Sequence, residues 1–258
     1  MSGLVWGAEE ARRLAALRDE LAQVSTASAF QMLMQQGWRN TYMLGLSILQ
    51  PLGLGQRLVG RARTCRYLMR RGAERLPATE AEREANRTRR RNSAEIVTIE
   101  SLEPGDIFCV DALGVPTSGI IGDILSARIK ARGALAAVIN GAVRDTPYIK
   151  DVGLPVFCAA AHPSASGRDV MPVDHDLPVN MAGATVYPGD IILADDEGVL
   201  AMPLDLAEYV AAHGPAKEHL EMWIRGKIAA GGSVHDYYPP LPDKEVEYER
   251  ETGRRVER

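Results

Sequence analysis

Residues 119–151 read GIIGDILSARIKARGALAAVINGAVRDTPYIKD. Residues 119–132 predict a helix opened by a glycine-containing loop, and 135–143, LAAVINGAV, a buried strand. Gly119 and Gly122 precede Asp123 at the mouth of that helix. Glycines let the backbone turn tightly and leave N–H groups free at a helix N-terminus, where carboxylates and other anions bind. Asp123 has two readings, as the helix cap or as part of a site. Arg144 and Asp145 lie just past the strand. They form either a surface ion pair or, as polar residues beyond a strand's carboxyl end in layered α/β folds often do, the lining of a ligand crevice. In the second reading Asp145 offers a hard oxygen ligand to Mg²⁺ or Mn²⁺. Arg144 offers a planar, permanent charge to a carboxylate or enolate.

Working outward, residues 95–114, EIVTIESLEPGDIFCVDALG, predict a short strand, a Pro-Gly-Asp turn and a second strand. Residues 154–160 predict another strand. Residues 184–203 predict a hairpin with turns at Pro188-Gly189-Asp190 and Asp195–Gly198. Residues 8–36 read as helix, with Ser25, Thr26 and Ser28 available to start a second one, and 58–70 alternate as a strand. Residues 204–230 are helical, limited by Gly226 and Gly231-Gly232. Residues 71–94 are nearly devoid of large apolar side chains and read as an exposed charged insertion. Its Arg87, Arg89, Arg90 and Arg91 suit either a grip on RNA or an acidic partner, or a solvated helix face balanced by Glu80, Glu82 and Glu84. The acidic net charge favours the solvated face. The tail from Asp236, proline-rich and then charged, is expected to wrap a neighbouring subunit or fray. Short strands alternating with helices across one core predict an α/β layered domain.

Composition narrows the function classes. The chain has 258 residues, 46% hydrophobic and 25% charged, enough to bury a real core. A net charge of −4 argues against a nucleic-acid partner. No apolar run is long enough for a membrane span, and the start lacks the apolar region of a secretory signal, so the expected location is the cytoplasm. Cys65, Cys109 and Cys158 are too few and too scattered for a disulfide framework or zinc knuckle, and read as buried small hydrophobes.

Gly119-Ile-Ile-Gly122-Asp123, twenty residues, then Arg144-Asp145 resembles the signature of the 4-hydroxy-4-methyl-2-oxoglutarate aldolase family, which also contains ribonuclease-activity regulators. The resemblance extends to VSTA near residue 24, LVGRART, EPGDIFCVDA, KARGALAAVINGAVRD and YPGDIILADDEGV, and covers residues 20–215. It implies one domain over 1–258 with a C-terminal helix and tail from 216. The implied fold is a swivelling β/β/α (phosphohistidine-domain-like) layered α/β fold, with a mixed sheet sandwiched by helices. It implies homotrimers or homohexamers with active sites between subunits. By position, Asp145 binds the divalent metal and Asp123 holds a metal-bound water. Arg144 contacts substrate and steadies enolate charge, and the amides of Gly122, Asp123, Ile124 and Leu125 receive the pyruvoyl carboxylate. A glutamate from the adjacent subunit completes such sites, with Glu218 the first candidate and Glu221 the second. His162, Ser164 and Ser166 are candidates to read the distal part of the substrate. Tyr148 departs from the family pattern, standing where an acidic residue usually follows the Arg-Asp pair.

The activity so implied is a metal-dependent carbon–carbon lyase. It would cleave a 4-hydroxy-2-oxo acid to pyruvate through an enolate, with oxaloacetate decarboxylation as a side activity. No lysine in the signature suits a Schiff base. The alternatives are a non-enzymatic regulator of RNase E-type processing, or another enolate-forming decarboxylase or hydratase of sugar-acid or aromatic breakdown.

Overall fold

The computed structural model describes residues 6–72 and 77–256. Residues 1–5 of the start and 73–76 of the charged insertion lie outside the described residues. The chain opens with α1 (Ala8–Leu21) and α2 (Thr26–Gln35). The Ser25 side chain caps α2 by accepting from the Ser28 amide at 3.1 Å. Then come β1 (Ser47–Ile48), β2 (Leu58–Met69), α3 (Glu80–Arg91), α4 (Ala94–Ser101) and β3 (Asp106–Gly119). The middle runs α5 (Asp123–Ala131), β4 (Ala136–Val143), α6 (Thr146–Val152) and β5 (Val156–Ala161). β6 (Val170–His175), β7 (Val179–Met181), β8 (Ala184–Val186), β9 (Ile191–Ala194) and β10 (Val199–Met202) follow. The chain closes with α7 (Leu204–Ala229), α8 (Val234–Tyr237) and α9 (Pro242–Thr252).

The main sheet has the order β1-β5-β4-β3-β2-β9-β10, with β6 paired to β2 and β7–β8 forming a small second sheet. β2, β3, β4 and β5 are parallel neighbours, while β9, β10, β6 and β1 run antiparallel to theirs. Period-two alternation sorts the parallel strands onto two faces. Phe108, Val110, Ile139 and Val143 point into a cluster with Ile99, Ile129 and Ile149 from α4, α5 and α6. Ile107, Cys109, Ala136 and Val138 point the other way, toward Val179, Met181, Ala184 and Val186 of the small sheet. α1, α2 and α7 close the β2-β9-β10 end through Leu21, Leu33, Leu200 and Val210. The fold is therefore a layered α/β one with a mixed sheet, as the resemblance implies, but helices cover one face and one end while the small sheet covers the other face. All three cysteines are buried and free, and burial pushes their thiols up.

Two expectations are corrected. Residues 94–101 form a helix, not a strand: Ser93 caps it by accepting from the Ile96 amide, and Ala94, Glu95, Thr98 and Ile99 form its buried side. The tail does not fray, because it packs on α7 of its own chain. Tyr248 on α9 is buried, meets His219 Nδ1 at 2.8 Å and packs edge-on to Trp223, both on α7. Glu247 and Glu251 accept from Lys227 at 2.6 and 2.7 Å.

Candidate functional site

β3, β4 and β5 end at one edge of the sheet, and the segments leaving them meet there. The Ile120 amide donates to Ala142 O at 2.8 Å and the Arg144 amide to Ile121 O at 3.0 Å. Gly119 N donates to Ser164 O at 2.9 Å, and His162 N to Val143 O at 2.9 Å. These bonds fix the Gly119–Asp123 loop, the Arg144–Asp145 corner and the 162–168 loop against one another.

Gly122, not Asp123, occupies the cap position of α5, and its backbone is extended (φ −125°). The first bond of this helix runs from Ser126 N to Gly122 O, so the amides of Asp123, Ile124 and Leu125 leave the helix start without intrahelical partners. Asp123 is the first helical residue, and its carboxylate caps nothing. Its negative charge works against an anion at the amides, but the carboxylate stands free to hold a water. Ile124 beside it is exposed.

Asp145 adopts the left-handed conformation (φ 53°, ψ 34°), which a non-glycine residue enters at a cost of about 1–3 kcal/mol. Its carbonyl accepts from Tyr148 N at 2.9 Å and Ile149 N at 3.0 Å, opening α6. The turn sends its carboxylate back toward Gly122. A Cβ on Gly122 would lie 2.5 Å from Asp145 Oδ2 and 3.2 Å from Arg144 Nε. A Cβ on Gly119 would lie 2.8 Å from Ser164 O and 2.9 Å from His162 O. Gly119 is thus required by backbone atoms that cannot move aside, while a side chain at Gly122 would displace the Asp145 carboxylate. Arg144 Nε stands 3.4 Å from Asp145 Oδ2, with both side chains more than a third exposed, a loose single contact rather than a two-pronged pair.

Gly119, Gly122, Asp123, Leu125, Arg144 and Ser164 line a cleft of about 1160 Å³. Asp145 adjoins it through Arg144 and Gly122. Ser166 also faces it; His162 does not line it, and its Nδ1 accepts from Ser164 N at 3.1 Å. No lysine lines the cleft among the described residues. Tyr148 is exposed on α6. Glu218 is engaged in its own chain, accepting from Ser25 N at 2.8 Å and Ser25 Oγ at 2.5 Å. Burial pushes its carboxyl up, but these bonds outweigh burial and hold it below the usual range. Glu221 pairs with Lys217 one turn away.

The donor set bears on a metal. Among the described residues no three or more His, Cys, Asp or Glu gather as a ligand cluster. At the glycine corner the hard oxygen donors among the described residues are the carboxylates of Asp145 and Asp123. That fits a cation such as Mg²⁺ or Mn²⁺, which takes one or two carboxylates and fills its shell with water and substrate oxygens, and does not fit structural zinc.

Sequence reasoning missed two features of this cleft. Glu95 lines it from α4, buried, accepting from Tyr67 Oη at 2.6 Å. Burial pushes its carboxyl up, against the pull of Tyr67 and Arg90. The strand reading of 94–101 hid it; the serine cap at Ser93 was the available signal. The second feature is the opposite wall, built by α3 from the charged insertion through Arg83, Asn86, Arg87, Arg89 and Arg90.

Residues 17–201 match the profile of the RraA-like family, described as Aldolase/RraA. Protein DlpA of Legionella pneumophila is 30% identical over 74% of this chain, which spans only 28% of DlpA. The 4-hydroxy-4-methyl-2-oxoglutarate aldolase of Thermus thermophilus is 30% identical over 41% of this chain and 63% of its own length. This chain thus spans less than two thirds of either relative. Among solved structures, Streptomyces coelicolor RraAS2, an unusual member of the RNase ES inhibitor RraA protein family, superposes with a TM-score of 0.68 at 28% identity, covering 81% of this chain and 96% of RraAS2.

Proposed function

The chain belongs to the RraA-like (Aldolase/RraA) family, and on that premise we propose that it is a carbon–carbon lyase that cleaves a 4-hydroxy-2-oxo acid to pyruvate. The observation that carries the reading is the close packing of Gly122 on Asp145 and Arg144 beside open helix amides. Left-handed strain, a missing Cβ and a permanent charge converge on one point, and a surface ion pair requires neither the strain nor the missing Cβ.

In this reading the amides from Gly122 to Leu125 receive the substrate carboxylate. Asp145 would hold Mg²⁺ or Mn²⁺, with Asp123 acting through a water, and the ion would supply Lewis-acid polarisation of the 2-oxo acid. A water held by Asp123 takes the proton from the 4-hydroxyl. As the C3–C4 bond breaks, electrons move into a pyruvate enolate, and the Arg144 guanidinium, fixed before the charge develops, stabilises it. Protonation at C3 releases pyruvate. Oxaloacetate decarboxylation leaves the same enolate, so the same residues serve it. The lack of a lysine in the cleft lining among the described residues argues against a Schiff base. The assembly in this proposal is a homotrimer or homohexamer.

The test is a panel of 4-hydroxy-2-oxo acids with Mg²⁺ or Mn²⁺, followed by pyruvate release. The likeness to RraAS2 favours a second reading, regulation of RNase E-type processing. Absence of pyruvate release across the panel together with inhibition of such a ribonuclease would select it.

A further inference from the structure

The reading above leaves the α3 wall unused. α3 has no buried side chain. It is held by a capping box, in which Glu82 N donates to Thr79 Oγ1 at 3.2 Å and Thr79 N to Glu82 at 3.1 Å, and by ion pairs. A helix that packs no apolar face owes its place on the cleft to something other than the core.

Its charges are unevenly answered. Arg83 and Arg87 are matched by Glu80 and Glu84, at 2.7 to 2.8 Å. Among the described residues Arg89 meets only the neutral amide oxygen of Asn86, at 2.9 Å. Arg90 makes no ion pair among the described residues; it acts on the buried Glu95 only at longer range, and burial pushes that carboxyl up. On the facing loop Arg168 reaches Asp169 only at 3.5 Å. That carboxylate oxygen already accepts from Thr117 at 2.5 Å and Ser118 at 3.3 Å. All three arginines, with Ser166, line the cleft that also holds Asp123 and Arg144. At about 1160 Å³ the cleft exceeds the roughly 300–1,000 Å³ typical of small-molecule pockets. A pyruvoyl head at the Gly122 end leaves most of it empty.

We infer that Arg89, Arg90 and Arg168 bind a phosphate on the distal end of the substrate, so that the preferred substrate is a 4-hydroxy-2-oxo acid carrying a terminal phosphate ester. The inference rests on the lyase reading and names its substrate class. One carboxylate brings a single charge and two oxygens to three guanidinium groups. A phosphate brings nearly two charges and three acceptor oxygens, and guanidinium forks match it two-pronged. Cleavage of the C3–C4 bond then releases pyruvate and an aldehyde phosphate. The 4-hydroxyl proton leaves to water at Asp123, C3 gains a proton, and the phosphate ester stays intact.

The test uses two 4-hydroxy-2-oxo acids identical but for a terminal phosphate, on the wild-type chain and on the double variant R89Q/R90Q. Because α3 buries nothing, the thermal midpoint of the variant should match the wild type, and that is measured first. In the wild type kcat/KM should favour the phosphorylated acid, and in the variant that preference should fall roughly ten- to hundredfold, mainly through KM. Calorimetric titration of the phosphorylated acid into the chelated protein reads binding without turnover, and the variant should weaken it similarly. Turnover with no phosphate preference, or a preference the variant leaves intact, overturns the inference while the lyase reading stands. Binding that depends on Arg89 and Arg90 without turnover of either acid supports the phosphate site and removes the lyase reading. Displacement of the phosphorylated acid by lower concentrations of short single-stranded RNA assigns the wall to RNA and overturns the inference.

Discussion

Gly122→Ala adds one methyl group where the structure leaves room for none, and it separates a working site from a helix cap. The backbone at Gly122 is extended (φ −125°, ψ −163°), which alanine adopts freely. The strain is therefore steric and local: the new Cβ would stand 2.5 Å from Asp145 Oδ2, against an ordinary contact of roughly 3.4 Å or more. The carboxylate must retreat by about 1 Å, and Arg144 Nε, 3.2 Å away, must give slightly. Both are ends of part-exposed side chains, so retreat costs little folding energy. Alanine is a poorer N-cap than glycine by up to about 1 kcal/mol, and restricting the unfolded chain returns about 0.4–1 kcal/mol. Stability measured by urea unfolding should thus move by less than about 1 kcal/mol. Catalysis should not be spared, because a displacement of about 1 Å at a reacting centre costs about 10²-fold. Gly119→Ala is the contrast. There the Cβ would meet backbone oxygens of His162 and Ser164 at 2.9 and 2.8 Å, which cannot step aside. That variant should lose about 1–3 kcal/mol of stability along with activity. The assay is pyruvate release from the best acid of the panel, with unfolding midpoints in parallel. Gly122→Ala retaining kcat/KM within about threefold of wild type would refute the claim that this contact sets the reacting geometry.

Arg144→Lys keeps the charge but loses the planar fork, and pyruvate release and oxaloacetate decarboxylation should fall together by about 10²-fold or more, with unfolding unchanged; divergence of the two rates would break the shared-enolate argument. Asp145→Asn, which tolerates the left-handed turn, should abolish turnover, and exhaustive chelation of the wild type should do the same until Mg²⁺ or Mn²⁺ is restored; pyruvate formation that persists after chelation contradicts this. Asp190 sits in the Pro188–Asp190 turn, where burial pushes its carboxyl from 3.8 up to about 6 against a bond from Tyr187 N. The folded state holds this proton more tightly than the unfolded chain, so the stability tied to it is full below about pH 4 and is lost as pH rises through 6. Asp190→Asn keeps the acceptor and removes the charge, and should raise urea stability by about 1–3 kcal/mol at pH 8 but leave it unchanged at pH 4. An equal effect at both pH values would show that packing, not ionisation, sets the cost.

How much of this was legible in the sequence follows from the range of the interactions. The parallel strands and the helices between them are local patterns. The 119–132, 135–143 and 154–160 readings therefore fall close to α5, β4 and β5, and the ends of β3 and β4 bring Gly122, Arg144 and Asp145 together without further information. The failures are where tertiary contacts decide. Residues 94–101 carry the β-branched content of a strand, yet they fold as a helix because one turn-spaced side must bury beneath β6 and Tyr67 needs the Glu95 carboxylate. The tail's partner, Trp223 and His219 on α7, lies some twenty-five residues upstream and shares no periodicity with it. Nor does anything in the insertion announce that its exposed arginines line the same cleft as Gly122, since a helix with no buried residue has no apolar stripe to orient it.

The corner at Asp145 joins the two kinds of information. To open α6, the position needs only a carbonyl and a left-handed backbone, and glycine supplies both without strain. An aspartate does the same work less comfortably, its short polar side chain being among the few that tolerate the conformation. The strain is tied to a direction: the left-handed turn delivers the carboxylate against Gly122, where an absent Cβ gives it room, and within 3.4 Å of Arg144. A structural turn explains the backbone and leaves the carboxylate idle; an ion pair explains the carboxylate and leaves Gly122 and the strain idle. A site that must hold a hard anion and a guanidinium beside open amides uses all of them, and this is why the Gly122 contact, rather than the signature alone, is the point at which the lyase proposal stands or falls.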